Sequence, residues 1–200
     1  MGNGCAKPGD TPRMSDIQPL NPQPLIYKER KSDTNPKIRF PNGNIYDGGI
    51  LNGEPHGEGK MSYASGAEYV GYWERGDQHG LGKYKFSDGS YYEGNFKEGE
   101  INGKGLYKYK NGDVYTGEFF KEAKHGIGTY SRPEGEKYEG SYRNDMRHGS
   151  GRLTYKNKDC LVSNFENDTS NDTNARIKFA NGAYSLFYLL VKMRLIPVLI

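Results

Sequence analysis

Four histidines, His56, His79, His125 and His148, each stand at the head of a His-Gly-x-Gly stretch. Imidazoles at equivalent positions are the side chains that first suggest zinc. Copies two strands apart would lie about 10 Å from one another, whereas a zinc–nitrogen bond is about 2 Å. One ion cannot bridge them, so the expected role is a turn histidine bonding backbone across a hairpin, and no metal is expected. Residues 53–61, from Gly53 to Met61, have the look of a phosphate loop. The first glycine of that motif is missing, however, and Met61 stands where Ser or Thr would hold magnesium. The two cysteines, Cys5 and Cys160, lie far apart and build neither a disulfide framework nor a zinc ligand set, which points to a reducing compartment. Nearly every polar residue recurs by repeat or falls in a linker, leaving no isolated nucleophile, base and orienting group. No cofactor and no enzyme activity are expected.

The start of the chain offers a different chemistry. Removal of Met1 would expose Gly2, with Cys5 close by and Ala6 where a myristoylation signal usually has Ser or Thr. Gly2 and Cys5 are therefore the acylation candidates; two acyl chains would anchor the protein stably where one would not. Residues 8–36 carry six prolines and read as a disordered linker. Within it Pro19-Leu20-Asn21-Pro22 has the form of a PxxP ligand but reads as an extended spacer. Residues 185–200 are apolar but interrupted by Lys192 and Arg194, so they provide no span of about 20 apolar residues for a membrane helix. No secretory signal is visible at the N-terminus, and an intracellular, cytoplasmic protein is expected.

Charge narrows the choice of partner. Residues 46–160 hold 17 basic and 18 acidic residues, interleaved along the chain. Nucleic-acid binding needs a stripe of uncompensated Lys and Arg, and electrostatic binding to lipid needs an excess of the same residues. Neither is expected of this region, so membrane association would have to come from Gly2 and Cys5.

What positions these residues is a repeat. Tyr46, Tyr69, Tyr92, Tyr115 and Tyr138 are spaced 23 apart, with Leu161 and Tyr184 at the next two positions. A glycine follows each of the five tyrosines two residues later, and Ile50, Trp73, Phe96, Phe119 and Tyr142 follow four later. Twenty-three of the 28 glycines fall in 46–160, so the glycine excess belongs to this repeat. Residues at i, i+2 and i+4 share one face of a strand. The second half of each unit alternates as well, with Gly82, Tyr84 and Phe86, or Gly105, Tyr107 and Tyr109, on one face. Each unit therefore predicts a β-hairpin. The pairs Asn42-Gly43, Asp88-Gly89 and Asn111-Gly112 mark the tight turns between units, and a longer connection such as residues 97–102 makes the turn within a unit. Strand glycines leave room for a neighbouring ring to lie across the backbone.

The expected fold is all-β, an elongated single-layer antiparallel β-hairpin repeat array with a 23-residue period. The expected organisation is a proline-rich segment at 1–37, an array at 38–160 comprising a half unit and five repeats, a degenerate sixth repeat at 161–184 and an apolar tail at 185–200. No helical periodicity occurs in 46–160, so the aromatic face must curl over its own rings or bury them against something else.

These residues resemble the MORN repeat family, whose unit is Tyr-x-Gly-x-aromatic followed by Gly-x-x-His-Gly-x-Gly. The resemblance covers more than half the chain. It implies an elongated, twisted antiparallel sheet whose aromatic groove binds partner proteins, with homodimers in some cases. The aromatic residues Tyr69, Trp73, Tyr84, Phe86, Tyr92, Phe96, Tyr107, Tyr109, Tyr115 and Phe119 are on one reading the ribbon's own core and on the other a partner-binding face that receives an extended or helical segment. Arrays of this kind in radial spoke head proteins imply a cytoskeletal or ciliary, axonemal scaffold. Those in junctophilins imply, as the alternative, a membrane tether, here anchored by acylation.

Overall fold

The structure, a computed structural model, describes residues 37–170 and 175–185. No helix occurs among them; every regular element is a strand. They fall into two compact units, one ending at Glu122 and the other beginning at Ala123. The first contains β1 (Ile38–Arg39), β2 (Ile45–Leu51), β3 (Glu54–Ser62), β4 (Glu68–Glu74), β5 (Asp77–Lys85), β6 (Tyr91–Lys97), β7 (Glu100–Lys108) and β8 (Val114–Phe120). Each strand pairs antiparallel with the next. The second contains β9 (Ala123–Ser131), β10 (Lys137–Arg143), β11 (Met146–Thr154), β12 (Cys160–Glu166), β13 (Thr169–Ser170), β14 (Arg176–Lys178) and β15 (Tyr184–Ser185). Here β9 to β12 pair antiparallel in sequence order, β12 pairs with both β13 and β14, and β14 pairs with β15.

Two turn types alternate, and both are short. Between repeats, Gly89 N donates to Phe86 O and Phe86 N to Ser90 O, a three-residue loop with positive φ only at Gly89 (92°). Asp88 Oδ1 accepts from Ser90 N at 2.9 Å, and Asn111 Oδ1 accepts from Asp113 N at 3.0 Å, which explains the Asx-Gly signature. Within a repeat the turn is tighter than the six-residue connection expected. Lys97 pairs with Glu100, leaving Glu98 (φ 52°) and Gly99 (φ 82°) as the whole loop. Two left-handed residues in succession match the twist of the flanking strands. The residues that looked like loop instead form a bulge. Gly94 pairs with Gly105 and Phe96 with Ile101, so the longer strand carries the surplus.

These tight turns also tie each repeat to the one before. Gly76 N donates to Pro55 O and Gly99 N to Gln78 O, both at 3.0 Å, and Glu122 N donates to Ile101 O at 2.9 Å. In the second unit Asp145 N donates to Lys124 O and Asp168 N to Arg147 O, both at 3.0 Å.

One expectation is corrected. Tyr184 does not continue the tyrosine series. Leu161 pairs with Ile177 and Lys178 with Tyr184, whereas in a regular repeat Tyr92 pairs with Tyr107 and Lys85 with Tyr91. One extra residue has entered between β12 and β14, so Tyr184 occupies the position equivalent to Tyr91. Cys160 is buried on β12, and Cys5 lies outside the described residues.

Candidate partner-binding surface

The recurring spacing of tyrosine and glycine has a packing explanation. Tyr46, Tyr69, Tyr92 and Tyr115 are at most 1% exposed and Tyr138 is 3% exposed. Each ring lies back along its own strand, and its hydroxyl donates to the carbonyl three residues on. The acceptors are Gly49, Tyr72, Asn95, Glu118 and Ser141, at 2.9 to 3.1 Å. The ring covers a cross-strand glycine pair. A Cβ on either Gly71 or Gly82 would come within 2.6 Å of Tyr69 Cζ, and Gly71 and Gly82 are partners in the ladder. Only the absence of a side chain permits that approach.

A second aromatic locks successive tyrosines together. Trp73 meets Tyr46 and Tyr69 edge-on with centroids 5.4 and 5.0 Å apart, and its indole N–H donates to Gly59 O at 3.1 Å. Phe96 stands between Tyr69 and Tyr92, and Phe119 between Tyr92 and Tyr115, at 5.0 to 5.2 Å. These edge-to-face contacts add about 0.5–1.5 kcal/mol per pair to the area buried.

The ten aromatic residues singled out from the sequence therefore divide. Tyr69, Trp73, Tyr92, Phe96, Tyr115 and Phe119 are no more than 5% exposed and form the interior of the sheet. Tyr84, Phe86, Tyr107 and Tyr109 are partly exposed and form a flanking row. Tyr63, which the sequence reading passed over, belongs to the same row; it stands 23 residues before Phe86, a signal available in the repeat. The rings form a chain of tilted contacts. Centroids are 5.7 Å apart for Tyr63 and Tyr84, 4.6 Å for Tyr84 and Phe86, 5.5 Å for Phe86 and Tyr107, and 4.5 Å for Tyr107 and Tyr109.

The row is uncharged. Burial pushes the Tyr63 phenol up to about 12, with Tyr84 adding in the same direction and the bond from Gln78 opposing. Burial also pushes Tyr84 up. Both hydroxyls are neutral at neutral pH. Tyr63 Oη accepts from Gln78 Nε2 at 2.8 Å, and Tyr107 Oη lies 3.3 Å from Ser90 Oγ. The opposite sheet face is mixed and polar; Lys83 Nζ lies 3.1 Å from Glu93 and 4.4 Å from the Tyr91 ring centre. Phenol hydroxyls and ring faces together make a contact surface with hydrogen-bonding tips and apolar faces.

The histidines serve the frame in more than one way. His56 packs against the Tyr72 ring at 6.3 Å, and His79 Nε2 lies 3.5 Å from Glu74. His148 Nδ1 is buried with no hydrogen-bond partner, so the expected bond to backbone is not made by that atom. Among the described residues no group of three or more His, Cys, Asp or Glu could hold a metal ion, and no helix is long and apolar enough to cross a membrane. Gly2, Cys5, the proline-rich segment and all of the apolar tail except Ser185 lie outside the described residues.

The MORN repeat family model matches residues 46–68, 69–91, 92–114, 115–137 and 138–160. A comparison with curated proteins finds no match. Among solved structures the chain is similar to the TCP domain of Drosophila melanogaster SAS-4 (dCPAP), solved in complex with a proline-rich motif of Ana2 (dSTIL). Identity is 12%, the TM-score is 0.45, and the match covers 74% of this chain and 75% of that one. It is also similar to the TCP10 domain of Danio rerio CPAP, solved with a peptide of STIL, at 14% identity and a TM-score of 0.36, covering 74% and 75%.

Proposed function

The chain belongs to the MORN repeat family, and from that premise we propose that it is a non-catalytic protein-interaction scaffold whose contact surface is the row Tyr63, Tyr84, Phe86, Tyr107 and Tyr109. One observation carries this reading. Five neutral rings in mutual contact remain partly exposed while the neighbouring Tyr, Trp and Phe positions are buried. Aromatic side chains offer a large contact area with a polar tip and few rotatable bonds, which is why they dominate the energetics of interfaces.

Partner capture by crosslinking in cells tests the reading. Tyr84→Lys with Phe86→Lys should abolish capture and leave the thermal midpoint nearly unchanged, whereas Lys83→Ala on the opposite face should leave capture intact. Capture that survives the double substitution would overturn it. The proposed setting, a cytoskeletal or ciliary assembly, rests on the family resemblance, and detergent extraction tests it: retention in the insoluble pellet is expected. Anchoring through Gly2 and Cys5 is the competing proposal, for which a Gly2→Ala chain would move from membranes to the soluble fraction.

A further inference from the structure

The aromatic row has a repeat length, and another part of this chain matches it. Tyr63, Phe86 and Tyr109 are equivalent residues, each two strands from the next, so they recur at about 9.6 Å for strands about 4.8 Å apart. A polyproline II helix completes a turn in three residues at about 3.1 Å each, or about 9.3 Å. A ligand in that conformation laid across the strands would present one side chain per repeat. Over two repeats it would drift by only about 0.6 Å.

From Ile17 to Tyr27 the chain runs Ile-Gln-Pro-Leu-Asn-Pro-Gln-Pro-Leu-Ile-Tyr with no charge, bracketed by Asp16 and Lys28. Pro19, Pro22 and Leu25 fall at the three-residue interval. The surface is neutral as well. Besides the rings, the repeat position that carries Gln78, whose amide bonds Tyr63, is Pro55 and Ile101 in the adjacent repeats. Asp113, beside Tyr109, is 5% exposed and is occupied by Asn111 Nδ2 at 3.0 Å. The tyrosine hydroxyls supply donors for the free carbonyls of a proline helix, which has no internal hydrogen bonds.

We propose that Pro19–Leu25 docks in polyproline II form along Tyr63, Tyr84, Phe86, Tyr107 and Tyr109 of its own chain, so that a partner must displace it. The connection permits this. Residues 26–36 can extend about 36–40 Å, while the row begins two strands from β1 and ends six strands away, about 29 Å. The inference rests on the row being the binding surface and names its resident ligand.

The test uses a fluorescein-labelled peptide of residues 15–29 and full-length chains, read by anisotropy. The chain carrying P19D, P22D and L25D should bind the peptide about tenfold more tightly than the wild type, because a tethered ligand of roughly 100 μM affinity competes at an effective concentration of about 1 mM. Adding Tyr84→Lys and Phe86→Lys to that chain should abolish binding, with unchanged Trp73 emission reporting an intact fold. Equal affinity for the two chains, binding to neither, or binding that survives the ring substitutions would overturn the proposal. So would a dimer in sedimentation that the ring substitutions dissolve while the peptide fails to bind, since the occupant would then be a second copy. If the peptide fails but the same ring substitutions still abolish partner capture, the surface reading stands and only the resident ligand is wrong. If the peptide binds as expected while capture is unaffected, the resident ligand stands and the partner reading falls.

Discussion

The two units share one locking device and differ in what flanks it. In both, a buried tyrosine covers a glycine pair and an edge-on aromatic follows: Tyr69 with Trp73 in the first, Tyr138 with Tyr142 and Phe165 in the second. In the first unit the flank is Tyr63, Tyr84, Phe86, Tyr107 and Tyr109, with Pro55, Gln78 and Ile101 at the neighbouring repeat position. In the second, that position holds Lys124 and Arg147, and Arg132 replaces a ring. The cations are absorbed locally. Lys124 Nζ lies 5.4 Å from the Tyr130 ring centre and 5.8 Å from that of Tyr142, and burial pushes its amine down while Asp145 and Asp168 oppose. Arg147 lies over Tyr138 and Phe165 and holds Asp168 by Nε at 2.9 Å. Arg132 pairs with Glu136 at 2.7 Å. The lock leaves the flanking positions of each repeat chemically open, so surface chemistry can change from repeat to repeat without a change of fold.

If the lock is common to both units, breaking it should be equally severe in either. Gly82→Ala and Gly140→Ala each place a Cβ within 2.6 Å of a buried tyrosine ring or its hydroxyl, and each should cost about 3 kcal/mol or more, read as a shift in urea midpoint. A marked inequality would mean that one unit relaxes where the other cannot.

Alkali should be the next strongest perturbation. Burial raises the phenols of Tyr63, Tyr84 and Tyr92 in the first unit and of Tyr138 and Tyr155 in the second. A folded pKa above the unfolded value of about 10 means that the native state holds protons the unfolded chain has released. Stability is therefore complete below pH 10 and falls as pH rises through the folded values, of which that of Tyr63 is about 12. Tyr63→Phe should reduce the slope of stability against pH by one proton between pH 10 and 12, as measured by denaturant titration.

The cationic flank predicts a smaller, local difference. Asp168→Ala leaves Arg147, itself 8% exposed, without its carboxylate. Because the Asp168 side chain is 49% exposed, the cost is discounted to about 1–2 kcal/mol. Gln78→Ala at the equivalent neutral position removes one ordinary hydrogen bond, about 1 kcal/mol. Smallest of all is Arg132→Phe. It removes a partly exposed ion pair and restores the ring found in earlier repeats, so the thermal midpoint should move by less than about 0.5 kcal/mol equivalent. A large loss there would show that the ion pair has a structural role.

Much of this was legible in the chain. The tyrosine spacing, the i+2 glycines and the i+4 aromatics pointed to hairpins stacked in series, because strand alternation and repeat period are local properties. The division of the aromatic face was not legible. Tyr69, Tyr84 and Phe96 all alternate onto one face, and nothing in alternation says which is covered. The tight turn at Glu98 and Gly99 was missed because positive φ at a glutamate is rare and depends on the strands that flank it. The one-residue slip before Tyr184 was invisible because the lost spacing is recognised only through the pairing of Leu161 with Ile177.

By itself the sequence determined the repeat, its strands and its proline-rich lead-in, since these follow from residue order at short range. Only the tertiary structure decided that Tyr69 and Trp73 are interior while Tyr63, Tyr84 and Phe86 remain partly exposed. That outcome depends on each tyrosine leaning across glycines of the neighbouring strand to reach a carbonyl three residues on, a choice made by packing between strands and not by the order of residues along one.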